Sequence, residues 1–297
     1  GRIGNKRERR TARLVEGWRL NEDFKELWSR IKHRTRYAVD YTTPDLIAKA
    51  AKRLAGMDKI EPAKIQVRKV GIEIDGEGLT TRLLATNSAQ LEYQACKIPD
   101  LLGYLQSKTE LTRSTLAQIL IQSGRLGEVK DNPQMFLDQA LYAIQAELHE
   151  LMIAGIKYER INGAGYETEY EMLLFEENEI TGYLGNMLEV EKSIYDVVLW
   201  ESEVEHEFAE AMNSREDIRL FVKLPGWFKI ETPIGTYNPD WAIVKEHDEK
   251  LYLVRETKST KDQLKLRGSE WSKIQCGKAH FEELGVDFDH VTGAEEV

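Results

Sequence analysis

Apolar residues at Leu20, Phe24, Leu27, Trp28 and Ile31 recur near the i, i+4, i+7 spacing of one helix face, so the opening up to about Tyr37 is expected to be helical. Thr43-Pro44-Asp45 predicts a helix start with proline at the first helical position, and that helix should run to about Met57. From Lys64 the pattern changes period. Ile65 and Val67, then Val70, Ile72 and Ile74 after a register change, alternate as in a strand or hairpin arm ending at Asp75-Gly76. The stretch TELTRSTLAQILIQSGRLG reads as two short helical pieces. They form either an ordinary packed pair or a helix-turn-helix with Thr112, Arg113 and Ser114 opening the second piece. Asn132-Pro133 caps a long amphipathic helix carrying Phe136, Leu137, Leu141, Ile144 and Leu148, expected to end at NGAG, 162–165, a natural boundary.

The last hundred residues are the most regular. Ser202 as N-cap with Glu205 three residues on forms a capping box, and Val204, Phe208 and Met212 line one helix face. IRLFVKL and WFKIETP, on either side of Pro225-Gly226, read as strand. WAIVKE and KLYLVRETK read as two further strands joined by the polar turn HDEK. GSEWSKIQCGKAHFEEL is a helix stopped by Gly285, and DFDHV is a short final strand. The order is helix, three strands, helix, strand: a mixed α/β (α+β) fold with a central sheet flanked by helices, preceded by a mostly helical region.

Composition narrows the class. The chain has 297 residues, 41% hydrophobic and 31% charged, enough for two domains with real cores. No apolar run reaches the roughly 18 residues of a membrane span, and no signal peptide is visible. The basic start without an initiator Met is expected of a fragment. Cys96 and Cys276 lie far apart and form no disulfide or zinc framework, so a reducing cytoplasm is the expected location. A net charge of −10 opposes non-specific nucleic-acid binding by the chain as a whole. The charge is uneven: residues 2–36 hold twelve Lys/Arg against five Asp/Glu, and residues 167–217 hold sixteen Asp/Glu against two Lys/Arg. Any nucleic-acid contact would therefore be local.

The candidate chemistry lies at two strand ends. Asp240 follows Pro239 at the entry to one strand, and Glu256-x-Lys258 closes the next. Fifteen residues separate Asp240 from Glu256, which allows a strand, a turn and the strand back, so an antiparallel pair brings all three side chains to one sheet edge. Two carboxylates held together repel unless a cation sits between them, and hard oxygen donors with room for water suit Mg²⁺. A lysine beside that cation can orient water and stabilise charge developing on a phosphate. The plainer reading makes Asp240 a turn residue and Glu256/Lys258 a solvated ion pair at a strand end.

The segments TPIGTYNPDWAIV, LYLVRETKST, LRGSEWSKIQCGKAHFEEL and SEVEHEF resemble the C-terminal endonuclease domain of the restriction subunit of type III restriction enzymes, a member of the PD-(D/E)xK nuclease superfamily. Upstream, NEDFKELWSRIKHRTRY, IPDLLGYLQSKTELTRST and NPQMF are similar, more loosely, to the spacer that follows the helicase in those subunits. The resemblance implies three parts. Residues 1–40 are a helical connector from an upstream motor domain, 41–165 a spacer, and 166–297 the nuclease, with its core at 200–293. It implies an Mg²⁺-dependent endonuclease that hydrolyses phosphodiesters of double-stranded DNA, working with the helicase-type motor and a methyltransferase subunit. Asp240 and Glu256 would be metal ligands, the backbone carbonyl of Thr257 a further one, and Lys258 the catalytic lysine, with Glu256 serving the metal rather than pairing mainly with Lys258. A glutamate on the first core helix often completes such sites; Glu205 is the candidate and Glu207 the fallback. Arg267, Lys273 and Lys278 are candidate DNA contacts. His280, seven residues after Lys273 on the same face, is a weaker candidate as a phosphate contact or base.

Two departures bear on that resemblance. No G-x-x-x-x-G-K-[ST] occurs, so ATP would act only through a motor domain that this chain lacks. A RecB-like exonuclease would carry Q-x-x-x-Y on the helix after the lysine, but Gln275 is followed four residues later by Ala279. The alternative from another class is a scaffold: residues 1–165 dock a partner or DNA, and the C-terminal fold is a degenerate nuclease.

Overall fold

The computed structural model describes residues 8–62, 64–75, 78–90, 98–163, 167–246, 249–261 and 268–297, with the backbone alone over 64–75 and 78–90. The strands are β1 (Arg9–Thr11), β2 (Thr35–Val39), β3 (Lys64–Asp75), β4 (Gly78–Gln90), β5 (Ile156–Arg160), β6 (Thr181–Tyr183), β7 (Met187–Glu189), β8 (Val197–Leu199), β9 (Ile218–Lys223), β10 (Trp241–Glu246), β11 (Lys250–Thr257) and β12 (Asp287–Val291). The helices are α1 (Glu22–Ile31), α2 (Thr43–Ala55), α3 (Leu101–Thr109), α4 (Arg113–Gln122), α5 (Pro133–Ala154), α6 (Leu174–Glu177), α7 (Glu203–Ser214) and α8 (Gly268–Leu284). Among the described residues no helix is long and apolar enough to cross a membrane.

The chain divides into two compact units: Tyr41–Leu151, and a discontinuous unit of Gly1–Asp40 with Met152–Val297. The expected parts divide at 40/41 and 165/166; the units divide at 40/41 and 151/152, and 1–40 groups with 152–297. The described part of the first segment, residues 8–40, is not a helical connector. β1 pairs antiparallel with β6, β2 pairs antiparallel with β5, and α1 buries Phe24, Leu27, Trp28 and Ile31 against β9, β10 and α8. The helical reading therefore holds only for α1 and a 3-10 turn over Trp18–Leu20 before it. Leu20, expected on the apolar face, is 74% exposed, and the TRYAV segment after Ile31 takes strand form because it finds β5 more than a hundred residues away. The long helix likewise ends at Ala154 rather than at 162–165. Gly155 follows, and there a Cβ would lie 2.0 Å from the Asp40 carbonyl oxygen. The Asp40 amide donates to the Gly155 carbonyl at 3.1 Å.

The 41–151 unit is built as its pattern predicts. Thr42, Asp100, Thr112 and Asn132 cap α2, α3, α4 and α5 by accepting a backbone N–H three residues on. Leu46, Ala50, Leu54, Leu116, Ile119, Phe136, Ala140 and Ile144 are buried from α2, α4 and α5. β3 and β4 pair as a hairpin whose register shifts between Lys69 and Val70, where the alternation changes phase. The buried Arg125 guanidinium donates to the carbonyls of Leu54 and Asp58 at 2.7 and 2.8 Å and to Glu128 at 2.6 Å, holding the Glu128 carboxyl down at about 2.

In the discontinuous unit four strands form one sheet in the order β12-β11-β10-β9. β10 runs antiparallel to both of its neighbours, β9 and β11, and β12 lies parallel to β11 after the α8 crossover. The expected helix–three strands–helix–strand order is thus observed, but WFKIETP is not a strand. It is a loop closed by a single bridge between Ile230 and Tyr237. Side chains of β10 alternate between two cores. Ala242 and Val244 join α1 and α8, and Trp241 and Ile243 join α7 through Phe208, Ala209 and Met212. Burial on both faces is why WAIV reads as a continuous apolar run.

Candidate active site

The Trp241↔Arg255 pairing starts the β10–β11 ladder, so Asp240 lies one step beyond it, next to Glu256. The Leu224 amide holds the Asp240 carbonyl at 2.8 Å from the β9 side, and the Lys258 amide holds the Val291 carbonyl at 3.0 Å from the β12 side. Four strand ends thereby fix the backbone of this rim. Asp240 Oδ2 accepts from both the Thr257 amide (2.8 Å) and the Thr257 hydroxyl (2.7 Å), and that hydroxyl in turn accepts from Trp241 Nε1 at 3.2 Å. Thr257 thus orients Asp240 through its N–H and O–H.

Glu256 is almost fully buried, which is unusual for a carboxylate. Its Oε1 lies 2.9 Å from Lys258 Nζ, and its Oε2 accepts from the Tyr237 hydroxyl at 2.6 Å. The expectation that Glu256 and Lys258 do not mainly pair is therefore corrected: residues two apart on a strand share a face, and these two make a direct ion pair. Arg255, on the other face, donates to Asp287 Oδ2 at 2.6 Å and to the Asp287 carbonyl at 3.2 Å, tying β11 to β12.

Burial raises the Asp240 carboxyl above its ordinary range, and the charge of Glu205 adds to the rise against the Thr257 hydrogen bonds. Burial, then the charge of Asp240, pushes Glu256 up to about 7 despite Lys258 and Tyr237. Burial opposes the Lys258 charge, yet Glu256 and Asp240 outweigh it and hold the ammonium above its usual value. The rim thus holds two carboxyl groups against one lysine. That donor set fits a hard divalent cation taking two carboxylates and completing its shell with backbone carbonyl and water. Among the described residues no group of three or more His, Cys, Asp or Glu side chains is arranged to hold a metal.

Ser202 caps α7 by accepting from the Glu205 amide at 3.3 Å, but the Glu205 side chain does not close the box onto Ser202. Glu205 is buried. Its Oε2 accepts from the Glu201 amide at 2.9 Å and from Lys223 Nζ. Glu207 is exposed. Lys273 lines a cavity of about 210 Å³ together with Tyr237, Asn238, Glu256, Lys258 and Glu270. A second cavity of about 200 Å³ touches Asp240, Lys223, Glu201 and Asn238. Lys278 is exposed and lines neither, and Arg267 lies outside the described residues. His280 is placed away from the chemistry. It is buried, its Nδ1 bonds the Thr35 hydroxyl at 2.7 Å, and burial drives its pKa down to about 3, so it is a neutral core residue that reaches no phosphate. Cys276 is buried, as expected of a small apolar residue.

Three residues at the site escape sequence reasoning. Lys223 ends β9 as an ordinary strand lysine. Tyr237 sits in the irregular loop before Pro239. Gly277 interrupts α8, where its lack of a Cβ admits the Tyr237 ring: a Cβ there would fall 2.4 Å from Tyr237 Cε1. A glycine in mid-helix, costly in propensity, was the one available signal.

Comparison with curated proteins and with solved structures gave no match. Residues 191–294, roughly a third of the chain, match a family model described as an endonuclease domain. The match spans α7, the four-stranded sheet and α8, so this part of the chain is a restriction-endonuclease-like domain with a PD-(D/E)xK-like core, and it carries the Asp240–Glu256–Lys258 rim.

Proposed function

We propose that this chain is an Mg²⁺-dependent DNA endonuclease module, the cleavage part of a type III restriction complex. The observation that carries the reading is the meeting of two carboxylates, half-buried Asp240 and buried Glu256, with Lys258 at one sheet edge inside the endonuclease-domain match. Asp240 and Glu256, with the Thr257 carbonyl, would hold the cation. When bound, the cation supplies Lewis-acid polarisation of the phosphate and a lowered pKa for water. Lys258, half-buried and charged, orients the attacking water and faces the charge that develops on the phosphate. Lys273 lines the same cavity and would contact a flanking phosphate, and Arg267 and Lys278 would be further DNA contacts. Glu205 adds a negative charge that raises the Asp240 pKa, and Lys223 pairs with Glu205.

The net charge of −10 opposes DNA capture, so site recognition and motor action are assigned to a methyltransferase subunit and a helicase-type motor. Cleavage of plasmid DNA by the assembled complex tests the reading. Asp240→Ala and Lys258→Ala should each lower the Mg²⁺-dependent rate by about 100-fold or more, in line with loss of one oriented catalytic group. Wild-type cleavage in either variant would overturn the site assignment.

The direct Lys258–Glu256 and Lys223–Glu205 ion pairs favour a second reading, a scaffold whose nuclease site is neutralised internally. A Mn²⁺ titration by calorimetry separates the two. Heat that disappears in Asp240→Ala supports the nuclease, and no heat in the unmodified chain supports the scaffold.

A further inference from the structure

Tyr237 is held in place from three directions. Its backbone exchanges two hydrogen bonds with Ile230, at 2.9 and 2.7 Å. Its ring meets Phe288 edge-on, with centroids 6.3 Å apart and an interplanar angle of 85°. Its far edge lies over Gly277, where any larger side chain would collide with it. The hydroxyl so placed donates to Glu256 Oε2 at 2.6 Å, while Lys258 takes Oε1 at 2.9 Å. A buried tyrosine needs a partner for its hydroxyl, and a backbone carbonyl would serve. This one is directed at the carboxylate that the proposed reading makes a cation ligand. Asn238, the next residue, is also tied down: its side-chain amide donates to the carbonyls of Phe228 and Pro225 at 2.8 and 3.2 Å. The loop before Pro239-Asp240 is therefore anchored on both sides of its backbone.

We propose that Tyr237, seated by Gly277, is a positioning residue for Glu256: by fixing Oε2 it turns Oε1 toward the Lys258 side, where cation and phosphate are to be bound. The inference rests on the reading of Glu256 as a cation ligand. Loss of an outer hydrogen bond to a ligating group typically weakens metal affinity by about 10–100-fold. Tyr237→Phe keeps the ring and removes only the donor.

Calorimetric titration of the full chain with Mn²⁺ tests the inference. Tyr237→Phe should bind Mn²⁺ about 10-fold or more weakly, with a thermal transition that remains cooperative. In the cleaving complex the Mg²⁺ concentration for half-maximal rate should rise by a similar factor, and the rate at saturating Mg²⁺ should fall less. A purely structural role would shift the melting temperature without this split. Gly277→Ala, which displaces the ring, should weaken Mn²⁺ in the same direction. The double variant should be no weaker than the poorer single one, because both act through one hydrogen bond. Wild-type Mn²⁺ affinity in Tyr237→Phe, alongside clear binding by the unmodified chain, overturns the role of Tyr237 alone. No Mn²⁺ binding by the unmodified chain overturns the cation reading and this inference with it.

Discussion

His280 and Glu256 are both buried and titratable, and opposite surroundings give them opposite behaviour. Glu256 sits beside two charged groups, Asp240 and Lys258, which push its protonation in opposite directions. His280 sits among Tyr158 and Phe281 with a single hydroxyl partner, and its Nε2 has no partner among the described residues. Burial alone lowers its pKa from 6.5 to about 3. Between those values the unfolded chain binds the proton and the folded chain does not, so the folded state is favoured above about 6.5 and that advantage is lost as pH falls toward 3. His280→Phe should therefore flatten the pH dependence of stability below neutrality, by up to about 1.4 kcal/mol per pH unit at the steepest point. Urea unfolding of both proteins at intervals between pH 7 and 4 measures the difference. Equal slopes would mean that the imidazole is solvated or charged in the fold.

At the scale of elements, close backbone approaches matter more than helix propensity. Gly155 ends α5 where the chain turns directly against Asp40, and no side chain fits there. Gly155→Ala should cost about 1–3 kcal/mol, as overpacking does, through displacement of β5 from β2. Gly127→Ala, with nothing within 4 Å of the new Cβ, is the matched control and should lie within about 0.5 kcal/mol of the parent. Urea midpoints at constant slope decide this, and equal losses in both variants would refute it. The same logic explains why α8 tolerates Gly277 in its interior: the helix loses about 1 kcal/mol of propensity there and gains contact with the Tyr237 ring.

On the whole-molecule scale, the endonuclease-domain match is smaller than the folding unit that contains it. The match begins at residue 191, yet Phe24, Leu27, Trp28 and Ile31 of α1 belong to the same buried cluster as Leu220, Val254 and Phe281. Removing four such side chains forfeits roughly 6–12 kcal/mol of burial, comparable to the whole stability of a domain. A chain of residues 191–294 should therefore lack a cooperative thermal transition and near-ultraviolet dichroism. Replacing 41–151 by a short Gly/Ser linker should retain both, because Asp40 and Gly155 already meet through a 3.1 Å hydrogen bond. A cooperatively folding 191–294 fragment would show that α1 is dispensable.

Much of the nuclease core was legible without coordinates. Ser202 and Gly285 mark helix ends by side-chain chemistry and by a positive φ of 68°, both local properties. Asp240, Glu256 and Lys258 converge because strand period and hairpin length are local too. The change of phase at Lys69/Val70 was likewise written in the alternation. What the linear order could not decide are choices between partners distant in sequence: β2 with β5, β1 with β6, and α1 on the sheet. Any of several polar or β-branched stretches has the pattern such pairing needs, and only mutual fit selects one. The same holds at the rim. Sequence placed two carboxylates and a lysine at one edge, while the tertiary structure decided that Tyr237, Lys223 and Gly277 come with them and that His280 does not. Side-chain identity and period act over a few residues. Burial, and with it charge, is settled only when distant segments close over the site.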